Sequence, residues 1–89
     1  MKILFEKSFE KEIDKLRSEE LQKKIIDVIN QVEIAKSVIE IKNIKKMKGY
    51  KNFYRIKIND YRIGVELEKN TVIFAAFGHR KEVYRKFPA

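Results

Sequence analysis

The chain has 89 residues, 44% hydrophobic and 11% aromatic, which suits one small folded domain over 1–89 rather than a large enclosed catalytic cavity. It contains no cysteine and a single histidine, His79, which excludes disulfides, thiolate catalysis and metal sites built from cysteine or histidine clusters. The formal net charge is +8, and residues 42–62 carry most of it, with eight basic side chains against Asp60 alone. Such a basic stretch attracts polyanions, nucleic-acid phosphates above all.

The hydropathy pattern indicates a cytosolic protein. No apolar run approaches the roughly 20 residues that are needed to cross a bilayer. The first six residues, Met1 to Glu6, lack the apolar stretch of a secretory signal. We therefore expect a cytoplasmic location and no contact with a membrane.

The N-terminal half is predicted to contain one strand and two helices. Residues 2–6 are typical of a short strand. Ser8 is a candidate cap for a helix over 9–17, and Ser18 for a second helix over 19–35. Apolar side chains recur at intervals of three and four residues in both segments, so each helix has one apolar face. The two helices are expected to form a hairpin that packs on a sheet.

After residue 40 the apolar period changes from 3.6 to 2, which is typical of strands. Four strands are predicted, at residues 44–48, 53–58, 61–67 and 71–77. Gly78 is expected to end the last of them, and residues 81–87 to form a short helix or an extended tail. The sequence therefore predicts an α+β domain with a mostly antiparallel sheet of four or five strands.

Three cations converge on one face of the predicted sheet. If Asn59-Asp60 forms a two-residue hairpin turn, Lys57 lies directly opposite Arg62, and Arg55 lies two residues away on the same face. Like charges in directly opposed positions destabilise a sheet. The apolar neighbours are predicted to face the helices, so the cations occupy a face free of helices. This arrangement indicates an anion site.

The segment after Gly78 is expected to bring three more polar side chains, His79, Arg80 and Tyr84, to the rim of the sheet. Arginine, histidine and tyrosine beside a lysine/arginine face suit metal-free cleavage of RNA by its own ribose 2′-hydroxyl. That reaction needs a base for the attacking hydroxyl, positive charge around the phosphorane and a proton for the departing 5′-oxygen.

Four sequence blocks, in this order, resemble the RelE/ParE toxin superfamily of toxin–antitoxin systems. They are Lys46-Met47-Lys48-Gly49-Tyr50, Phe53-Tyr54-Arg55-Ile56-Lys57-Ile58, Asp60-Tyr61-Arg62-Ile63-Gly64, and Gly78-His79-Arg80 continuing to Val83-Tyr84. The resemblance implies a RelE-like fold of the microbial RNase type and cleavage of mRNA in the ribosomal A site. It also implies that no metal or other cofactor takes part, and that a cognate acidic antitoxin of the RelB type blocks toxicity.

By the same resemblance, the catalytic residues are expected to be Arg55, Lys57, Arg62, Arg80 and Tyr84, with His79 as a reserve acid or base. Lys57 or Tyr84 would take the 2′-hydroxyl proton, Arg55 and Arg62 would hold the phosphate, and Arg80 would stabilise the leaving group. Four lysines of the basic stretch are expected to bind RNA: Lys45, Lys46, Lys48 and Lys51. Two alternatives remain open from the residues, a ParE-like toxin that inhibits DNA gyrase and a basic RNA-binding module without catalysis.

Overall fold

The structure, a computed structural model, describes residues 1–88. The chain forms an α+β fold with two N-terminal helices, a five-stranded sheet and a short C-terminal helix, as the sequence predicts. In chain order the elements are β1 (Lys2–Phe5), α1 (Lys7–Asp14), α2 (Glu19–Ile34), β2 (Ile44–Lys46), β3 (Phe53–Ile58), β4 (Tyr61–Glu68), β5 (Thr71–His79) and α3 (Arg80–Lys86). A single 3₁₀ turn, Val38–Glu40, lies in the segment between α2 and β2 that the sequence predicts as a loop.

The strands are ordered β1-β5-β4-β3-β2 across the sheet. The pairs from β5 to β2 are antiparallel and joined in sequence, while β1 runs parallel to β5. The parallel pair is possible because α1, α2 and the strands that follow separate β1 from β5 along the chain. The sheet is therefore mostly antiparallel, and β1, the strand from the N-terminal half, joins it by pairing with β5.

Of the two predicted helix caps, Ser18 is confirmed and Ser8 is wrong. Ser18 caps α2, since its hydroxyl accepts a hydrogen bond from the backbone N–H of Leu21. The prediction for α1 was wrong, because this helix begins at Lys7 and Ser8 lies inside its first turn. The Ser8 hydroxyl instead donates to the carbonyl oxygen of Ala75 at 2.7 Å, which attaches α1 to β5.

One face of the sheet carries the main hydrophobic core. Side chains from β3, β4 and β5 meet the apolar faces of α1 and α2 there, and the most deeply buried are Ile25, Val32, Ile56, Ile63 and Phe74. Their burial follows from the strand period of 2 and the helix period of 3.6 read in the sequence. We call this side of the sheet the core face and the opposite side the groove face.

The C-terminal part of the chain differs from expectation in two ways. Gly78 does not end β5, which continues through His79, and α3 starts at the next residue, Arg80. The groove face is also not free of helices, because α3 packs on it through Val83 and Phe87, both almost fully buried. Within residues 1–88, no helix is long and apolar enough to cross a membrane.

Candidate functional site

The β3–β4 hairpin has the register that the sequence predicts. Lys57 pairs with Arg62, Ile56 with Ile63 and Ile58 with Tyr61. Asn59 makes the turn possible, because its φ of 53° lies in the left-handed region that asparagine tolerates. The hairpin therefore sets two cations directly opposite each other on the groove face, with Arg55 two residues along the same strand.

The Arg62 side chain is buried and held by hydrogen bonds, although it lies on the groove face. Its side chain is 9% exposed, and Nη1 donates hydrogen bonds of 2.9 Å to the carbonyl oxygens of Asn59 and Tyr61. The guanidinium folds back on the turn that precedes it, so Arg62 is a buried and oriented cation rather than a solvated one. Within residues 1–88 the side-chain hydrogen bonds of Arg62 are made by Nη1 alone. Nε and Nη2 remain for an anion.

Arg55 is paired with an aromatic ring rather than with a carboxylate. Its Cζ lies 4.8 Å from the ring centroid of Tyr84, a distance at which a guanidinium is attracted to the ring face. Tyr84 projects from α3 and is 45% exposed. The C-terminal helix thus adds a tyrosine to the two strands that carry the cations.

These side chains line a surface groove of about 360 Å³. The lining consists of Asn43, Ile44, Lys45, Arg55, Lys57, Arg62 and Tyr84. Four of its members are cationic, and among the described residues no carboxylate lines it. A groove with this charge favours a phosphate, and the exposed tyrosine adds a surface on which a base can stack.

A second hollow, of about 380 Å³, lies between α1 and α3. Its apolar floor is bordered by four carboxylates, those of Glu6, Glu12, Glu66 and Glu82. Negative charge at the border disfavours a phosphate there. The cationic groove is therefore the candidate site, although it is the slightly smaller of the two cavities.

His79 and Arg80 do not join the groove, contrary to the sequence-based prediction. His79 pairs with Tyr61 across β4 and β5, and its ring packs edge-on against the Tyr61 ring with centroids 5.9 Å apart. Tyr61 belongs to the core face, so His79 lies on the opposite side of the sheet from Arg62. Arg80 is exposed at the start of α3, where its backbone N–H donates to the carbonyl of Asp60 at the hairpin turn.

The four lysines predicted to bind RNA do not lie together. Lys45 pairs with Arg55 and lines the groove, whereas the next residue, Lys46, pairs with Tyr54 and so lies on the other side of β2. Lys48 and Lys51 are exposed in the β2–β3 connection, outside the groove lining. The structure thus places one of the four beside the proposed phosphate position.

Asn43 is a member of the groove that the sequence-based reasoning missed. Its φ of 63° is left-handed, and its carbonyl accepts a hydrogen bond of 3.1 Å from the backbone N–H of Lys57. This contact holds the start of β2 against β3. The signal in the sequence is weak, because an isolated asparagine is typical of many turns.

In the part of the chain that the structure describes, no cluster of three or more histidine, aspartate and glutamate side chains is placed to hold a metal ion. The groove's polar members are four cations, one phenol and the amide of Asn43, a set that suits an anion rather than a cation.

Comparison with known proteins identifies relatives over nearly the whole chain. Residues 3–84 match the family described as the ParE toxin of type II toxin–antitoxin systems, parDE. The sequence is 40% identical over 89 residues to Toxin RelE3 of Methanocaldococcus jannaschii, covering 99% of this chain and 100% of that protein.

Solved structures give the same result. A chain in the RelB–RelE antitoxin–toxin complex from Methanococcus jannaschii superimposes with a TM-score of 0.80 at 38% identity, covering 96% of this chain and 99% of that chain. A chain in the intact E. coli RelBE toxin–antitoxin complex gives a TM-score of 0.60 at 26% identity, covering 88% and 94% of the two chains. Both relatives were solved bound to an antitoxin.

Proposed function

The chain belongs to the RelE/ParE superfamily of toxins from type II toxin–antitoxin systems, and from that premise we propose that it is a ribosome-dependent mRNA endoribonuclease acting in the cytoplasm. The observation that carries this proposal is the groove itself, where Arg55, Lys57 and Arg62 converge beside Tyr84. Folding alone does not favour two opposed cations at Lys57 and Arg62, so a bound phosphate explains their presence best.

In the proposed reaction the ribose 2′-oxygen attacks the adjacent phosphorus, and its proton passes to Lys57 in its amine form or to Tyr84 in its phenolate form. The bond from phosphorus to the 5′-oxygen breaks, and that oxygen takes a proton from water as it leaves. The products are a 2′,3′-cyclic phosphate and a 5′-hydroxyl. No metal ion is required in this scheme, because Arg55 and Arg62 supply the positive charge that stabilises the phosphorane.

The groove residues divide these tasks by their surroundings. Arg62, immobilised by two backbone carbonyls, is the fixed donor to the phosphate. Lys57 is exposed beside it and free to change its contacts during the reaction. Arg80 would reach the leaving group only from the rim of the groove, and His79 has no proposed role because it lies on the core face.

The test is translation in a purified system to which the protein is added. Primer extension then maps the breaks in the mRNA. We expect breaks within ribosome-bound codons, with 2′,3′-cyclic phosphate and 5′-hydroxyl ends. Ribosomes themselves need magnesium, so metal independence has to be measured on preformed complexes after exchange into inert cations. Fragments with 5′-phosphate ends would contradict the mechanism, and Arg17→Ala, a change at an exposed arginine outside the groove, is the matched control.

Two substitutions separate the candidate bases. Tyr84→Phe keeps the ring beside Arg55 and removes only the hydroxyl, whereas Lys57→Ala removes the amine. If Lys57 is the base, Lys57→Ala loses about 10²-fold or more in cleavage rate while Tyr84→Phe stays close to wild type. The reverse result assigns the proton transfer to Tyr84.

Inhibition of DNA gyrase is the second candidate function, because the matching family is described as a ParE toxin. A supercoiling assay with purified gyrase tests it. Loss of supercoiling with intact mRNA on ribosomes would replace the first proposal by the second. The third alternative, RNA binding without catalysis, predicts that the protein binds RNA but leaves the mRNA on ribosomes intact and the supercoiling activity of gyrase unchanged.

We further propose that the partner is an acidic antitoxin of the RelB type, with an amphipathic segment that covers the groove or displaces α3. The structure favours covering, since displacement would expose Val83 and Phe87, which are 2% and 7% exposed, and so costs about 1.5–3 kcal/mol for each side chain. The C-terminal segment is thus anchored by two buried side chains, although it is short. Hydrogen exchange separates the modes, because covering protects residues 55–62 and displacement raises exchange at 81–87. A complex that alters neither segment would contradict both.

A further inference from the structure

Besides Val83, one aromatic ring attaches the C-terminal end of α3 to the groove face, and this ring, that of Phe87, lies directly against the backbone of β4. The Phe87 ring covers Gly64 so closely that a Cβ added there would lie 2.5 Å from Cδ2 of Phe87. Real Cβ atoms do not approach a ring carbon to this distance, so only glycine allows the contact. The Phe53 and Phe87 rings also pack edge to face, with centroids 5.4 Å apart.

This attachment point is next to the catalytic groove. Gly64 is the cross-strand partner of Arg55, the residue whose guanidinium lies against Tyr84. Tyr84 lies in the last turn of α3 and Phe87 directly follows the final residue of the helix, so both rings are attached to the same end of α3. The backbone N–H of Phe87 donates to the carbonyl of Val83 at 2.8 Å, which closes the last turn and fixes the Phe87 backbone relative to the helix that carries Tyr84.

We propose that Phe87 is a positioning residue for the groove: its contact with Gly64 sets the angle of α3 and thereby holds the Tyr84 ring against Arg55. Phe87 itself lies outside the groove lining and touches no RNA in this scheme. A seven-residue helix has little stability of its own, so its placement depends on its contacts with the sheet. The catalytic consequence rests on the proposed ribonuclease function, while the positioning itself does not.

The first experiment is therefore independent of RNA cleavage. The Tyr84 ring should shift the side-chain proton resonances of Arg55 upfield, and NMR of Tyr84→Ala identifies that shift. We expect Phe87→Ala to remove the shift. Gly64→Ala should reduce or remove it as well, because the added methyl group displaces the Phe87 ring although neither Phe87 nor any charged groove residue is substituted. Phe5→Ala is the control, because the Phe5 ring packs against Phe9 and Phe74 on the far side of the fold. An unchanged Arg55 shift in folded Phe87→Ala or Gly64→Ala would overturn the proposal.

The second experiment is a double-mutant cycle on cleavage. A displacement of about 1 Å in a catalytic group can cost about 10²-fold in rate, so we expect Phe87→Ala to lose up to that factor. In the Tyr84→Ala background the same change should cost nothing further, since Phe87 acts through Tyr84. An equal loss in both backgrounds would show that Phe87 acts on stability alone. If wild type does not cleave mRNA at all, the proposed function fails and the NMR result still decides the positioning role.

Discussion

The same three strands, β3, β4 and β5, give the two faces of the sheet opposite properties. On the core face, Ile56, Ile63 and Phe74 are completely buried beneath α1 and α2. On the groove face, Lys57 opposes Arg62, and the short helix α3 covers only part of the surface. Alternation along each strand sends successive side chains to opposite faces, so one segment can serve stability and binding at once.

The comparison shows that the fold separates the side chains that stabilise it from the cations of the groove. Side chains on the core face stabilise the protein by removing apolar area from water. The opposed cations on the groove face gain nothing from each other, and one of them, Arg62, is kept in place by hydrogen bonds to backbone carbonyls. Substitutions on the two faces should therefore separate stability from activity.

The largest effect is expected for Arg62→Ala. Removal of one oriented donor to the transition state typically costs about 10²–10³ in rate. The free energy of unfolding should fall by at most about 3 kcal/mol, because two hydrogen bonds to carbonyls are lost while repulsion from Lys57 is relieved. Single-turnover cleavage on ribosomes and urea unfolding measure the two quantities.

Arg17→Ala is again the control for loss of an exposed arginine far from the groove. If Arg62→Ala melts several degrees lower but cleaves mRNA at the wild-type rate, Arg62 is a structural residue of the hairpin turn. That result would remove the functional distinction between the two faces.

Ile63→Val tests the core face, with a smaller expected effect. Ile63 is the β4 neighbour of Arg62 and is completely buried, so deletion of one methylene should cost about 0.5–1.5 kcal/mol in the free energy of unfolding. The cleavage rate per folded molecule should not change, because the side chain projects away from the groove. A loss of activity without a loss of stability at this position would show that the two faces are coupled.

The β3–β4 hairpin could be predicted from the sequence because its signals are local. Alternating side chains on both sides of Asn59-Asp60 fix the register, and a two-residue turn leaves little freedom in pairing. The overall α+β arrangement follows in the same way from the change of apolar period. Arg55, Lys57 and Arg62 were therefore placed together correctly.

The position of His79 could not be predicted because β5 contains a bulge. Its register against β4 shifts between Gly64 and Val65, so Phe74 pairs with Val65 whereas Ala76 pairs with Gly64. One extra residue exchanges the faces of all positions that follow, which turns His79 toward the core face. Residues 71–77 are nearly all apolar, so their pattern contains no sign of this exchange.

The contacts of α3 with the sheet also could not be predicted from the sequence. A glycine in β4 and a phenylalanine more than twenty residues later give no local signal that they touch, yet Phe87 covers Gly64. The hydrogen bonds from Arg62 to Asn59 and Tyr61 similarly depend on side-chain conformation rather than on spacing. These tertiary contacts decide which of the predicted cations are fixed and which are free.

The smallest predicted effect compares two adjacent lysines, which differ chiefly in the face they occupy. Lys45 and Lys46 have equal charge, both are exposed and both belong to β2, but only Lys45 lines the groove. On a single strand, a lysine that contacts one phosphate contributes about 0.7 to the magnitude of the negative slope of log K against log[salt], whereas long-range attraction alone contributes less. We therefore expect Lys45→Ala to reduce the magnitude of that slope by about 0.7 for a single-stranded RNA oligonucleotide, and Lys46→Ala to change it by clearly less. Fluorescence anisotropy at several salt concentrations measures both, and equal slopes would mean that RNA is attracted by the net charge of +8 rather than bound in the groove.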